Sequence, residues 1–336
     1  MAYSSGGTIA ATDYNNLTWG GTQGTYTAAT TNLAYVLGIG SGQFGYGQSV
    51  SAINTVTTAN VVSATQWTGL LTGVNTCLAH QSGAGSILSV PTMTSGGVIT
   101  YSSALNTAVT TINTNKLLYT AQGTTTTGAT FSPNFTVANT LAAQTWTFTR
   151  TVAFSSGNAA RHFFNAGGKL NFVTISTTNG DATSRSGDWV TLIGTNLVNI
   201  SAIGAISNSG RSGAGATQTT NGTGVGYWNA STGSVMQKIT SSVTAYSGDY
   251  VQISLRTNGV QGSNGDVGNI VYLDFTVYSI LQTAFPAQVS PSAGGTTVVN
   301  TTTEDGINVT WNHRIDIVYP ESTYLTTNSW GTPTIT

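Results

Sequence analysis

Two carboxylates, Asp274 and Asp316, are the residues of this chain best placed for acid–base chemistry. Each falls on the polar side of a stretch with period-two patterning, residues 271–278 and 307–317. Glycoside hydrolysis needs two carboxyl groups about 5 to 9 Å apart across a groove. That geometry arises here only if the two stretches pair as neighbouring strands. The plainer expectation is that each Asp bonds an Arg, Lys or Thr across its own sheet. The other acids weighed, Asp181, Asp188, Asp266, Glu304, Asp305 and Glu321, supply no better pair.

Histidine and cysteine chemistry fares no better. His80, His162 and His313 are far apart and none has a metal-ligand spacing. His313 falls on the apolar side of its stretch and reads as a structural core histidine. His80 follows a helical pattern, where a cation meets the C-terminal dipole favourably. The single Cys77 excludes an intrachain disulfide framework and a Cys-based zinc site. Asn264-Gly265-Asp266 reads as a turn, since a calcium loop needs more carboxylates. No G-x-S-x-G elbow is present. The glycine-rich run 37–48 invites a phosphate-loop reading, but no basic residue lies near it and the next segment looks extended. It reads as a structural loop. The expectation is therefore no catalytic residues, no cofactor and no metal.

The elements that position these residues change character along the chain. Ser63-Ala64-Thr65-Gln66 fits a capping box. Trp67, Leu70, Leu71, Val74 and Leu78 then form one helical face, ended by Gln81-Ser82-Gly83. A second helix is predicted over 102–117, with Leu105, Val109 and Ile112 on one stripe. A weaker third begins near Thr12-Asp13-Tyr14 and meets Gly20-Gly21.

From Thr145 the period becomes two. Trp146, Phe148, Val152 and Phe154 share one face, interrupted by Arg150, and Thr145, Thr147, Thr149 and Thr151 share the other. Similar alternation covers 251–255, 271–278 and 307–317. Such patterning marks antiparallel strands with one buried and one wet face. The predicted fold is α+β, mainly β. A small helical, loop-rich N-terminal region (1–120) leads through a Thr/Gly-rich linker (121–139) to an antiparallel β-sandwich, jelly-roll-like, over 140–336. Residues 207–226 read as an exposed loop.

Charge is the strongest compositional signal. Charged residues make up 6% of the chain, against about a quarter in an ordinary soluble protein. Asp13 and Lys116 are the only two before Arg150; the other 17 follow. Net charge is −1 and no basic cluster exists, which excludes an electrostatic footprint for nucleic acid. No apolar stretch is long enough to span a bilayer, and the N-terminus lacks the features of a signal peptide. The chain is expected to stay in a cytoplasm or to leave it by lysis. An N-terminal half almost without ions suits a subunit covered by neighbours in a permanent assembly.

Several phrases carry a resemblance. Tyr46-Gly47-Gln48-Ser49-Val50, Val61 to Trp67 and His80-Gln81-Ser82-Gly83 resemble the N-terminal region of tailed-bacteriophage virion structural proteins, chiefly of contractile-tailed cyanobacterial and marine phages. Ala160 to Leu170 and Tyr319 to Leu325 are similar to phrases in the same proteins. The resemblance implies a non-enzymatic role in tail, fibre, baseplate or neck, and virion localisation after assembly in the host cytoplasm. It transfers no catalytic residues. The partners expected are copies of the chain itself, as a trimer or ring, and other virion proteins. Candidate interface residues are Trp67, Thr68, Thr72, Phe163 and Phe164, although a buried Phe163-Phe164 pair is the plainer expectation for two adjacent aromatics. The alternative is a receptor- or glycan-binding fibre tip, with Trp189, Tyr227 and Trp228 stacking on host-surface sugars. A glycan-degrading enzyme would need the carboxylate pair.

Overall fold

The computed structural model describes residues 10–24, 32–57, 59–84, 88, 103–137, 143–180, 184–193, 198–201, 216–218, 234–243, 246–280, 288–291, 297–300 and 306–336. The fold is α+β and mainly β. Four helices come first: α1 (Ala11–Thr18), α2 (Leu33–Leu37), α3 (Ala64–Ser82) and α4 (Ser103–Thr114). The capping box forms as its residues dictate. Ser63 Oγ accepts from the Gln66 backbone N–H at 3.2 Å, and Gln66 Oε1 accepts from the Ser63 N–H at 2.9 Å. Trp67, Leu70, Val74 and Cys77 then point inward against α2 and α4. Burying one such large side chain stabilises by about 1.5–3 kcal/mol. Gly20 and Gly21, both at positive φ, stop α1.

The strands follow in chain order with two helices among them. They are β1 (Gln122–Thr127), β2 (Asn134–Val137), β3 (Gln144–Ala153), α5 (Gly157–Asn165), β4 (Lys169–Asn179), α6 (Ser184–Ile193), β5 (Val198–Ile200), β6 (Ala216–Gln218), β7 (Ser234–Thr240), β8 (Tyr250–Thr257), β9 (Ile270–Ser279), β10 (Gln288–Pro291), β11 (Thr297–Asn300), β12 (Ile307–Pro320) and β13 (Thr334–Ile335). One sheet runs β1-β12-β4-β5, with β2 also on β12. The other runs β13-β3-β9-β8-β7-β6, and β10 and β11 make a separate hairpin. The two larger sheets meet face to face: Phe172 of β4 lies 4.5 Å from Phe275 of β9, ring centre to ring centre, and Phe135 of β2 lies 5.9 Å from Trp146 of β3.

β12 is the spine of the first sheet. It pairs with β4 on one side and with β1 and β2 on the other. The stretch expected as a linker, 121–139, therefore holds two strands. The Thr run that suggests a flexible connection is also a good strand former, and Thr125–Thr127 pair with Val318–Asp316. Helices α5 and α6 interrupt a region whose patterning suggests strands throughout. Of the predicted loop 207–226, only β6 lies within the described residues.

Candidate functional site: the junction of helices and sandwich

Four of the phrases quoted for the resemblance, Tyr46 to Val50, His80 to Gly83, Ala160 to Leu170 and Tyr319 to Leu325, are distant in sequence and meet in space, whereas Val61 to Trp67 lies at the other end of α3. Where β12 ends, the chain turns at Glu321 into the last turn of α3. His80 Nδ1 lies 2.9 Å from Glu321 Oε1, and both side chains are buried. Glu321 also accepts the backbone N–H groups of Thr323 at 2.7 Å, Tyr324 at 2.9 Å and Leu325 at 3.4 Å. Burial alone would raise its pKa. The hydrogen bonds from His80 and from the Tyr324 and Thr323 backbone outweigh that and hold the carboxyl below its ordinary value. His80 thus sits in the last turn of α3, near a helix C-terminus as expected, and is the buried hydrogen-bond partner of a carboxylate.

Tyr46 packs edge-on against the His80 ring, with centres 4.8 Å apart. Its hydroxyl donates to the Lys116 carbonyl at 2.8 Å and accepts from Gln81 Nε2 at 2.7 Å. Gln48 exchanges two hydrogen bonds with the Thr327 backbone, donating at 3.0 Å and accepting at 2.8 Å. Loop, helix and C-terminal segment are therefore tied by paired polar groups with little access to water.

Helix α5 closes the other side. Ser156 caps it by accepting from the Ala159 N–H at 3.0 Å, and Gly167 (φ 93°) turns the chain into β4. Arg161 Nη1 donates to the carbonyls of Ile39 at 2.7 Å and Phe44 at 3.2 Å. Asn165 Nδ2 donates to the carbonyls of Phe44 at 2.7 Å and of Gly42 and Gly45 at 3.2 Å each. The glycine-rich loop therefore turns carbonyl oxygens toward the cationic and amide donors of α5. A phosphate needs the reverse polarity. Gly45 (φ 101°) is indispensable to the turn, since a Cβ there would fall 2.1 Å from the Ile39 oxygen.

The carboxylates of the first expectation do not meet. Asp274 lies on β9 and Asp316 on β12, which belong to different sheets. Each alternates with inward residues, Phe275 and Ile315, so the two point away from opposite faces of the sandwich. Asp274 accepts from Thr149 Oγ1 at 2.7 Å and Arg256 Nε at 2.6 Å, as the plainer expectation has it. Asp316 accepts from Arg314 Nε at 2.8 Å and from the Gly128 N–H at 3.2 Å. Asp181, Glu304 and Asp305 lie outside the described residues. Among the described residues no group of three or more His, Cys, Asp or Glu could hold a metal ion.

His313 is a core residue, fully buried among Trp311, Phe172 and Phe275. Arg150 breaks the apolar face of β3 in order to reach it. Its Nε–H donates to His313 Nε2 at 3.2 Å, which leaves Nδ1–H to donate to the Trp311 carbonyl at 3.2 Å. Burial, and then the Arg150 charge, press the His313 pKa down to about 4. His162 of α5 is held at about 4 by burial and by Arg161, against a weaker pull from the Ile39 backbone.

Three of the candidate interface residues are corrected. Trp67, Phe163 and Phe164 are buried within the chain, where Phe163 and Phe164 meet edge to face at 5.1 Å. Helical spacing turns Trp67 inward, and α5 turns both phenylalanines against Phe154, and Phe163 also against Tyr319. Thr68 and Thr72 remain on the outer side of α3, half-buried and exposed respectively. Trp189, expected to stack on sugars, is fully buried against Phe135. Tyr227 and Trp228 lie outside the described residues. Sequence reading passed over Asp249, whose buried carboxylate receives Arg185 through two bonds of 3.1 Å and anchors α6. A Gly-Asp just before a strand was its only local signal.

No family model matches the chain, and neither a curated protein nor a solved structure matches it. No helix among the described residues is long and apolar enough to cross a membrane.

Proposed function

We propose that the chain is a non-enzymatic structural subunit of a bacteriophage virion, tail- or fibre-associated, that assembles through its uncharged N-terminal half. The observation that carries this reading is the state of the two charges in residues 1–149. Asp13 accepts from the Ala10 N–H at 3.1 Å at the start of α1. Lys116 Nζ donates to the Asn113 carbonyl at 3.4 Å and lies 4.5 Å from the centre of the Phe44 ring. Both ions are engaged by the fold.

The surface they leave is polar without being charged. Thr65, Thr68, Thr72 and Thr76 line the outer side of α3. Val61, 88% exposed, stands at an open hollow of about 460 Å³ lined by Thr55, Thr57, Asn60 and Gln66. Hydroxyls and amides pair across an interface without the several kcal/mol that burying each ion costs. The buried junction supplies rigidity, so that this surface is presented in one orientation. A closed homo-oligomer, a ring or trimer around the tail axis, fits these properties, with other virion proteins as neighbours.

Immunogold electron microscopy with antibody against the full chain tests the location. Particles released by lysis from the producing cells should carry label on tail structures. Label confined to debris, with bare particles, would contradict it.

A further inference from the structure

The outer face of the second sheet goes beyond an assembly role. Register places its side chains in four rows across β8, β9 and β3. The two end rows are aromatic, Arg256–Tyr272–Thr151 and Tyr250–Tyr278–Thr145. The two middle rows, Ser254–Asp274–Thr149 and Gln252–Thr276–Thr147, are polar. Six residues separate Tyr272 from Tyr278 on one strand, about 20 Å, the length of a linear oligosaccharide of about four sugar units.

Each end ring has one face occupied and one face toward short side chains. The Arg256 guanidinium covers Tyr272 at 3.9 Å from the β8 side. Tyr250 stacks on Tyr278 at 4.9 Å and 22° from the same side, itself covered by Lys238 at 3.9 Å. On the β3 side the neighbours in register are only Thr151 and Thr145. Exposed Thr145, Thr147 and Thr149 of β3, with half-buried Thr151 paired to Thr336 at one end, thus form a ledge beside a wall built by β9. In that wall Asp274 is neutralised by Arg256, which grips it through bonds of 2.6 and 3.3 Å.

We propose that this ledge binds a linear, uncharged glycan. Its sugar rings would lie against Tyr272 and Tyr278, and its hydroxyls would pair with the polar rows between. Aromatic faces take the apolar side of a sugar ring, while neutral donors and acceptors fix its hydroxyls. Charge complementarity selects the ligand class. Between β9 and β3 the carboxylate is neutralised and the remaining groups are hydroxyls and amides, while the Lys238 cation stands over Tyr250 on the far, β7 side. The site shares no residue with the junction or with the outer side of α3, so its failure would leave the assembly reading intact.

An array of linear bacterial and plant oligosaccharides of four to six units, probed with the full chain, tests this. At least one uncharged glycan should be retained, with affinity little changed between 50 mM and 500 mM salt. Tyr272→Ala and Tyr278→Ala should each weaken that binding tenfold or more. Tyr272→Phe and Tyr278→Phe should keep most of it, and Asn312→Ala, on the outer face of the other sheet, all of it. Thermal unfolding of each variant confirms that the fold is kept. Retention of no glycan, binding only to charged glycans, or binding indifferent to both alanine variants would overturn the proposal.

Discussion

His80 Nδ1 and Glu321 Oε1 meet at 2.9 Å although 241 residues separate them in the chain. Helix α3 brings one and the exit of β12 brings the other, so the contact exists only when helices and sandwich are both formed. The same carboxylate caps the turn that follows it. Glu321→Ala would leave a buried imidazole and several backbone N–H groups without their acceptor. Removing one partner of a buried pair costs about 3–5 kcal/mol. Urea denaturation should show a loss of that size, with Glu321→Gln in between. A loss below 1 kcal/mol for the alanine variant would mean that the junction contributes little.

Acid should weaken the protein in a defined window. The unfolded chain binds protons on His162 and His313 near the ordinary pKa of 6.5, whereas the folded chain binds them only near pH 4. Their contribution is therefore complete above pH 6.5 and is lost as pH falls to about 4, on the order of 3 kcal/mol per histidine. Glu321, held below its ordinary pKa, adds a loss at still lower pH. Stability measured by urea titration at pH 7.5, 6, 5 and 4 should fall steadily. His313→Gln should be less stable at pH 7.5 and show a shallower fall. A flat profile across this range would refute the assignment of neutral buried histidines.

The glycine-rich loop separates steric from conformational cost. Gly45 (φ 101°) and Gly262 (φ 116°) share the left-handed region, but a Cβ on Gly262 meets nothing within 4 Å. Gly262→Ala should cost about 1 kcal/mol for the backbone alone. Gly45→Ala adds a clash with the Ile39 oxygen and should cost at least about 2 kcal/mol more. Equal losses in thermal unfolding would mean that the loop yields freely and that the Arg161 and Asn165 contacts do not fix it.

Local signals in the sequence were reliable where the physics is local. Four residues, Ser63 to Gln66, write the capping box, and alternation from Thr145 onward writes the sandwich. Arg150 stood out as a break in an apolar face, and the structure supplies the reason in His313. Helix α5 was hidden because Gly157 and Asn158 look like turn residues, and its capping residue Ser156 sits in a run of small polar ones. The Thr-rich stretch after residue 120 was ambiguous because threonine serves loops and strands alike. The junction was beyond local reading altogether. Gln48 meets Thr327 and Arg161 meets Phe44 across 279 and 117 residues. No spacing rule connects such partners. Trp67 and the Phe163–Phe164 pair, by contrast, were open to local reading: helical spacing puts Trp67 on the apolar face and two adjacent aromatics favour burial, and the fold buries all three.

The central claim is that an N-terminal surface almost without ions drives self-assembly, and sedimentation velocity of the full chain tests it most directly. Thr68 and Thr72 lie on the outer side of α3, so lysines there add charge to that surface without entering the core. At micromolar concentration the wild-type chain should sediment as a single closed oligomer. The Thr68→Lys/Thr72→Lys variant should shift toward monomer, with an unchanged far-ultraviolet circular dichroism spectrum. A wild-type chain that sediments as a well-behaved monomer, soluble without partners, would contradict the account.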